Sequence, residues 1–260
     1  AFVHYHLKTG GVTTVLRQQV NALRNDCDCL VLTGDRAEAE LPCRVVEIPG
    51  LGYDRPGTRP AIADQVADGV LEAIKAKWPR GCDVLHIHNP LIAKNRIFLK
   101  IIRRLQAAGL NLFLQIHDFA EDGRPAAYYC EPYPEDCHYG VINARDKSIL
   151  QKAGLEDHGL HHLPNAIVPL PVETADGGSP RVLYAVRAIR RKNIGEAAVL
   201  SLFLRGGRRL AITQPPNSPA DAHSYRDWLR WIDAVRLPVD VAVGKAIPFP
   251  RLVGQAASML

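Results

Sequence analysis

"AFVHYHLKTGGVTTVLRQQVNAL", Ala1–Leu23, contains one complete repeat of the alternation that sets the fold. Ala1–Tyr5 reads as a short buried strand. Two adjacent glycines, Gly10 and Gly11, follow as a turn. Val12–Leu23 then reads as a helix, with Val12, Val15, Leu16, Val20 and Leu23 on one stripe. The same step recurs downstream. "CLVLTG" (Cys29–Gly34), "RVVEIP" (Arg44–Pro49), "DVLHIH" (Asp83–His88), "NLFLQIH" (Asn111–His117) and "YGVINA" are strand-like. Helical patterns lie in "RPAIADQVADGVLEAIKAKW", in "NRIFLKIIRRLQAAG", where Gly109 is the expected cap, and in "ARDKSILQKAG". Alternating strands and helices predict a parallel sheet covered on both faces.

The stretch "LPNAIVPLPVETADGGSP" (Leu163–Pro180) is proline-rich, carries a Gly-Gly pair and has little periodicity, so it reads as a hinge. The alternation then resumes through "RVLYAV", "NIGEAAVLSLF", "RRLAIT", "SYRDWLRWIDAV" and "VDVAVG". The expectation is therefore α/β, with a Rossmann-like domain over 1–165, a hinge over 166–180 and a second Rossmann-like domain over 181–260. "QAASML" ends on an apolar helical pattern without a cap, which suggests that more chain follows.

Composition narrows the function classes. Of 260 residues, 47% are hydrophobic and 23% charged, as in ordinary water-soluble domains. No apolar run approaches a membrane span, and the first residues lack the pattern of a secretory signal. The reading is cytoplasmic. A net charge of +5 leans toward anionic ligands, but Lys and Arg are scattered, so no nucleic-acid partner is called for. Cys27, Cys29, Cys43, Cys82, Cys130 and Cys137 fit no zinc template and read as reduced thiols, with a Cys130–Cys137 bridge as the alternative.

Three features carry chemistry. In an open parallel sheet, ligands sit beyond the carboxyl ends of the strands. Gly10 and Gly11 lie there; a bare backbone and a helix N-terminus together favour an anion, while a plain tight turn explains the glycines as well. "VRAIRRKN" (Val186–Asn193) follows the first strand after the hinge. Its Arg187 and Lys192 can converge on one anion, the alternative being a solvated basic loop. Histidines end three strands: His4 and His6, His86 and His88, and His117 beside Asp118. Residues two apart share a strand face, so either His-x-His pair could bind a metal, although a strand-end histidine is more often a packing residue.

In order, "HYHLKTGGVTTVLRQQVNAL", "CDVLHIHNP", "LFLQIHDF", "YGVINARDKSIL", "LHHLPNAIV" and "VLYAVRAIRRKNIGEA" resemble the retaining GT-B glycosyltransferases of family 4. The resemblance runs from His4 to about Ala198. It implies two Rossmann-like doubly wound domains (GT-B), the second incomplete here, with a nucleotide-sugar between them. It implies a hexosyltransferase that retains anomeric configuration, with His117 and Asp118 as catalytic residues. Gly10, Gly11, Arg187 and Lys192 would meet the donor diphosphate, and His6, His88, Asn89 and Asn165 would line the substrate cleft. Neither a metal nor another cofactor is implied. The acceptor, whether sugar, lipid or small molecule, is left open, and a lipid acceptor would bring a peripheral membrane contact. Tyr128, Tyr129, Tyr133 and Tyr139 could stack on it or simply pack, with packing the more usual role. The chain departs from the family at Val186 and at Asn193, where glycine is usual. It also lacks the family's later glutamate pair, since its last glutamate is Glu196. Two other readings compete: a metal-dependent hydrolase built on the His-x-His strand ends, and a non-catalytic protein that clamps a ligand.

Overall fold

The computed structural model describes residues 1–37, 40–57, 60–119, 125–166, 168, 181–216 and 221–259. It divides into two compact units, Ala1–Val168 and Pro169–Leu260. Apart from Ala166 and Val168, the expected hinge lies outside the described residues.

The first unit holds β1 (Phe2–His4), β2 (Leu30–Thr33), β3 (Arg44–Glu47), β4 (Leu85–His88), β5 (Leu112–Ile116), β6 (His138–Val141) and β7 (Leu160–His162). All pair in parallel, in the order β3-β2-β1-β4-β5-β6-β7. The chain winds outward from β1 to β3, then returns to β4 on the other side of β1. The switch point of this Rossmann-like sheet is thus the β1/β4 junction, the place where open parallel sheets bind ligands beyond the strand ends.

Side chains alternate across the sheet, and the two faces differ. Val3, Leu30, Leu32, Leu85, Ile87, Leu112, Leu114 and Ile116 enter the main core. There they meet α2 (Ala63–Lys77), through Val66, Ala67, Val70 and Ile74, and α3 (Phe98–Ala107), through Phe98, Ile101, Ile102 and Leu105. In α3 the cationic Lys100, Arg103 and Arg104 fall between the apolar residues, away from the packed side. The helix closes as its sequence predicts. Gly109 follows the last turn at φ +85, a left-handed conformation natural to glycine, and its N–H bonds the Gln106 carbonyl. On the other face, α1 (Gly11–Leu23) packs Leu16 and Val20 over Phe2, Leu7 and Val31. Its buried stripe is Thr13, Val15, Leu16 and Val20, whereas Leu23 is exposed. Further along this face the sheet presents His86, His88, Phe113, Gln115, His138 and His161 in place of aliphatics.

α4 (Ala144–Lys152) begins at Asn143, whose Oδ1 accepts from the Asp146 N–H at 2.8 Å, a side-chain cap that sets the helix start. Tyr128 and Tyr139 are buried in the core and Tyr129 and Tyr133 pack against it, so all four are packing residues. All six cysteines are free thiols.

The second unit comprises β8 (Arg181–Arg187), β9 (Arg209–Gln214), β10 (Val239–Val241) and β11 (Ala256–Met259), with α5 (Ile194–Leu200), α6 (Ala222–Val235) and α7 (Phe249–Gln255). Its sheet has four parallel strands in the order β10-β9-β8-β11. This corrects the expected pair of Rossmann-like doubly wound domains and the GT-B fold: the molecule has one seven-stranded Rossmann-like sheet and one small sheet. Alternation along a sequence reports that strands and helices take turns, but it does not report how many strands share a sheet. The terminal "QAASML" also departs from its expected helical pattern. After Gln255 the chain becomes β11, paired with β8. Backbone bonding to an open edge outweighs the pattern of so short an apolar run. No described helix is long and apolar enough to cross a membrane.

Candidate functional site

The β1/β4 switch point collects most of the residues singled out from the sequence. Gly10 is the N-cap of α1 and offers no side-chain acceptor, and the first turn contains no acidic residue. The first N–H groups of a 13-residue helix are therefore left to other partners, with the positive end of its dipole uncompensated. A Cβ on Gly11 would meet nothing within 4 Å, so packing does not require glycine there. The turn itself is tied: Thr13 Oγ1 donates to the Lys8 carbonyl at 2.7 Å, and Lys8 Nζ pairs with Asp35 at 3.3 Å.

Asn89 follows β4 and braces the end of β5. It is buried and held at φ 54, a left-handed conformation that asparagine tolerates. Its Oδ1 accepts from the His117 N–H at 3.1 Å, and its Nδ2 donates to Asp118 Oδ2 at 2.8 Å. Its own N–H bonds the Gln115 carbonyl at 2.8 Å. One side chain thus sets both residues of the His117–Asp118 pair relative to β4.

The histidines form one connected group. His88 is fully buried, and its Nδ1 lies 2.9 Å from His117 Nε2, with the rings inclined by 13°. His86 stacks on His88 at 4.6 Å and bonds Gln115 Oε1 at 2.9 Å. Gln19 of α1 donates to that same oxygen at 2.9 Å. His4 is buried, bonds the His88 backbone, and meets His6 edge-on at 5.2 Å. His6 in turn stands edge-on to Tyr53, over which Lys94 lies at 4.9 Å.

Burial governs the protonation of this group. Desolvation pushes His4 down to about 3, helped by His6 and His117. It pushes His86 to about 4, against its hydrogen bond to Gln115 Oε1. It pushes His117 to about 4, against the attraction of Asp118, and His88 well below the ordinary value of 6.5. At neutral pH these rings are uncharged, so they act as hydrogen-bonding groups and add no positive charge for an anion. Among the described residues, no group of three or more His, Cys, Asp or Glu is disposed to hold a metal. Within the two His-x-His pairs the rings meet edge-on or stack, and His88 also bonds His117.

The remaining candidates lie elsewhere. Asn165 is exposed beyond β7, the edge strand of the sheet, away from β1 and β4. Arg187 and Lys192 belong to the second unit. Arg187 ends β8 half-buried, and Lys192 is exposed in a 3-10 turn over Arg190–Lys192. That turn is fastened by Tyr184, whose hydroxyl donates to the Lys192 carbonyl at 2.7 Å. Asn193 follows at φ 48. A left-handed residue is required there, and asparagine supplies it where the resembled family has glycine.

Gln19, Gln115 and Tyr53 also belong to the first unit's site and were not singled out from the sequence. No local motif marks them. Gln115 is the one signal that a reader could have used, a polar residue inside the apolar run "LFLQI".

No family model matches the chain. It is similar to the mannosylglucosyl-3-phosphoglycerate synthase of Petrotoga mobilis, at 27% identity over 260 aligned residues. The match takes in 83% of this chain and 50% of the relative, so the chain spans about half the length of the curated relative it matches. That relative is a glycosyltransferase.

Proposed function

We propose that the chain belongs to a glycosyltransferase that moves a hexose from a nucleotide-sugar to an acceptor, with retention of anomeric configuration. Residues 1–165 form the acceptor side, 166–180 the hinge, and 181–260 the donor side. The observation that carries the reading is that an uncapped helix N-terminus with the open Gly10–Gly11 turn follows β1, and a braced His117–Asp118 pair follows β5, on the carboxyl side of one parallel sheet. The likeness to a known synthase of a glycosylated phosphoglycerate supports it. That likeness also makes a phosphorylated small molecule the first acceptor class to test, in keeping with a net charge of +5.

In this mechanism the sugar leaves a nucleoside diphosphate, and negative charge grows on the phosphate oxygens. Arg187 and Lys192 stabilise that charge, and the α1 N-terminus with Gly10 and Gly11 receives an anionic group of the substrate. A preplaced donor of this kind is worth about 3 kcal/mol in the transition state. His117, neutral, hydrogen-bonds the sugar, and Asp118 offsets the positive charge that develops at the anomeric carbon. His6 borders the substrate, while the buried His88 and Asn89 act only by holding His117 and Asp118 in place. Retention proceeds by displacement on the face from which the diphosphate leaves, without a nucleophile from the protein.

Calorimetric titration with UDP, GDP and ADP tests the proposal. One of them binds, and Arg187→Ala and Lys192→Ala each weaken it by about 10- to 100-fold, the loss of a charge-assisted contact. Unchanged affinity in both variants removes the donor-site assignment.

A further inference from the structure

The bond between His88 and His117 leaves one question of chemistry open: which ring carries the shared proton. With both rings neutral, each has one N–H and one lone pair, and the 2.9 Å Nδ1···Nε2 contact uses one of each. The near-parallel planes, inclined by 13°, suit an in-plane N–H···N bond. Two arrangements satisfy it. In one, His88 Nδ1–H donates to His117 Nε2. In the other, His117 Nε2–H donates to His88 Nδ1.

They differ at the far nitrogen of His88. That atom, Nε2, is buried and has no hydrogen-bond partner among the described residues. If His117 donated, the His88 proton would sit on Nε2 as a buried N–H without an acceptor. If His88 donates, Nε2 keeps only a lone pair. Proteins tolerate a buried acceptor without a donor better than an orphaned N–H. His86 stacks on one side of His88 at 4.6 Å and Phe2 lies 6.1 Å from it, so the ring is held among aromatic neighbours.

We propose that His88 is a positioning residue that fixes the tautomer of His117: it donates from Nδ1 to His117 Nε2, so that His117 Nδ1 carries the proton and meets the substrate as a hydrogen-bond donor. The direction matters because the opposite tautomer would offer a lone pair and act as an acceptor or base. Asn89 contributes by fixing the backbone from which the His117 ring projects. The inference deepens the reading of His117 as a sugar-facing residue and rests on it for its catalytic meaning, whereas the tautomer itself is a property of the free chain.

Nitrogen-15 NMR of histidine-labelled protein at pH 7 provides the test, with the His117 signals assigned by their loss in His117→Gln. His117 is expected as the Nδ1–H tautomer. In His88→Phe, which keeps an aromatic ring but has no Nδ1–H, His117 moves to the Nε2–H tautomer that predominates in water. In His88→Asn, whose amide nitrogen can stand near the position of Nδ1, His117 keeps the Nδ1–H form. An Nε2–H or charged His117 in the unmodified chain overturns the proposal, as does an unchanged tautomer in His88→Phe. If His88→Phe fails to fold, the unmodified chain and His88→Asn decide. Should no nucleotide bind while the tautomer is as stated, the functional reading fails and the positioning role stands. In an active transferase, His88→Phe lowers kcat by about 10- to 100-fold with little change in KM, as loss of an orienting partner does elsewhere. A raised KM at unchanged kcat contradicts the role in turnover.

Discussion

Acidification from pH 7 to pH 5 should steeply destabilise the first unit. The perturbation acts on the buried histidines. Each has an ordinary value of 6.5 in the unfolded chain and a depressed one in the fold, about 3 for His4 and about 4 for His86 and His117. Between those limits the unfolded state binds protons that the folded state refuses. The stabilising contribution of the neutral rings is therefore complete above pH 6.5 and is lost as the pH falls toward 4. Each ring contributes about 2 kcal/mol of loss between pH 7 and pH 5, and the three together about 5–6 kcal/mol. His88 acts in the same direction. A loss of that size approaches the whole stability of an ordinary domain. Trp78 is the first unit's only tryptophan, and its indole donates to Asp28. Urea titrations followed by Trp78 fluorescence, in a chain carrying Trp228→Phe and Trp231→Phe, report this unit alone. The unfolding free energy should fall steeply from pH 6.5 to pH 5, and His4→Phe should flatten the fall by about 2 kcal/mol. A free energy that changes by less than about 1 kcal/mol from pH 7 to pH 5 refutes the neutral burial of these rings.

Gly11→Ala should leave the melting temperature unchanged or slightly raised, since its Cβ meets nothing and alanine suits a helix. Loss of nucleotide or acceptor affinity in that variant, measured by calorimetry, shows that the space serves a ligand, and full affinity shows a plain turn. Gly34→Ala should be severely destabilising, because its Cβ would lie 1.8 Å from the Gly52 nitrogen, a clash with backbone that cannot swing aside. The expected cost is about 3 kcal/mol or more, read from urea midpoints, and a shift under about 1 kcal/mol would mean that this close approach is not kept in solution. Asn89→Ala should cost about 2–4 kcal/mol by losing two side-chain bonds and placing a less tolerant residue at φ 54. Hydrogen exchange at the His117 amide should speed up in that variant, and unchanged protection would deny Asn89 its bracing role.

Much of the first unit was legible in the chain. The strands ending at His4, His88 and Ile116 and the helices between them follow from apolar runs, 3.6-residue stripes and the Gly109 stop, because each depends on neighbours a few residues away. β7 was not recognised as a strand, since three residues at a sheet edge leave almost no local pattern. Gly10 and Gly11 could be placed at a strand end from their position alone. The roles of Gln19 and Gln115 could not, since they meet across 96 residues of sequence.

The sequence by itself determined the alternation of the first unit and the strand-end placement of its glycines and histidines. Both are local: they follow from a residue's own conformational preferences and from the pattern of its immediate neighbours. Only the tertiary structure decided how many strands share each sheet and which histidines touch. It also decided that His4, His86, His88 and His117 are buried enough to lower their pKa values, that His88 and His117 share a hydrogen bond, and that no metal-ligand grouping forms among the described residues. Sheet order depends on pairings between separate strands, such as Leu30 with Arg44 and Phe2 with His86, and ring protonation on contacts such as that of His88 with His117 and on the water that burial excludes.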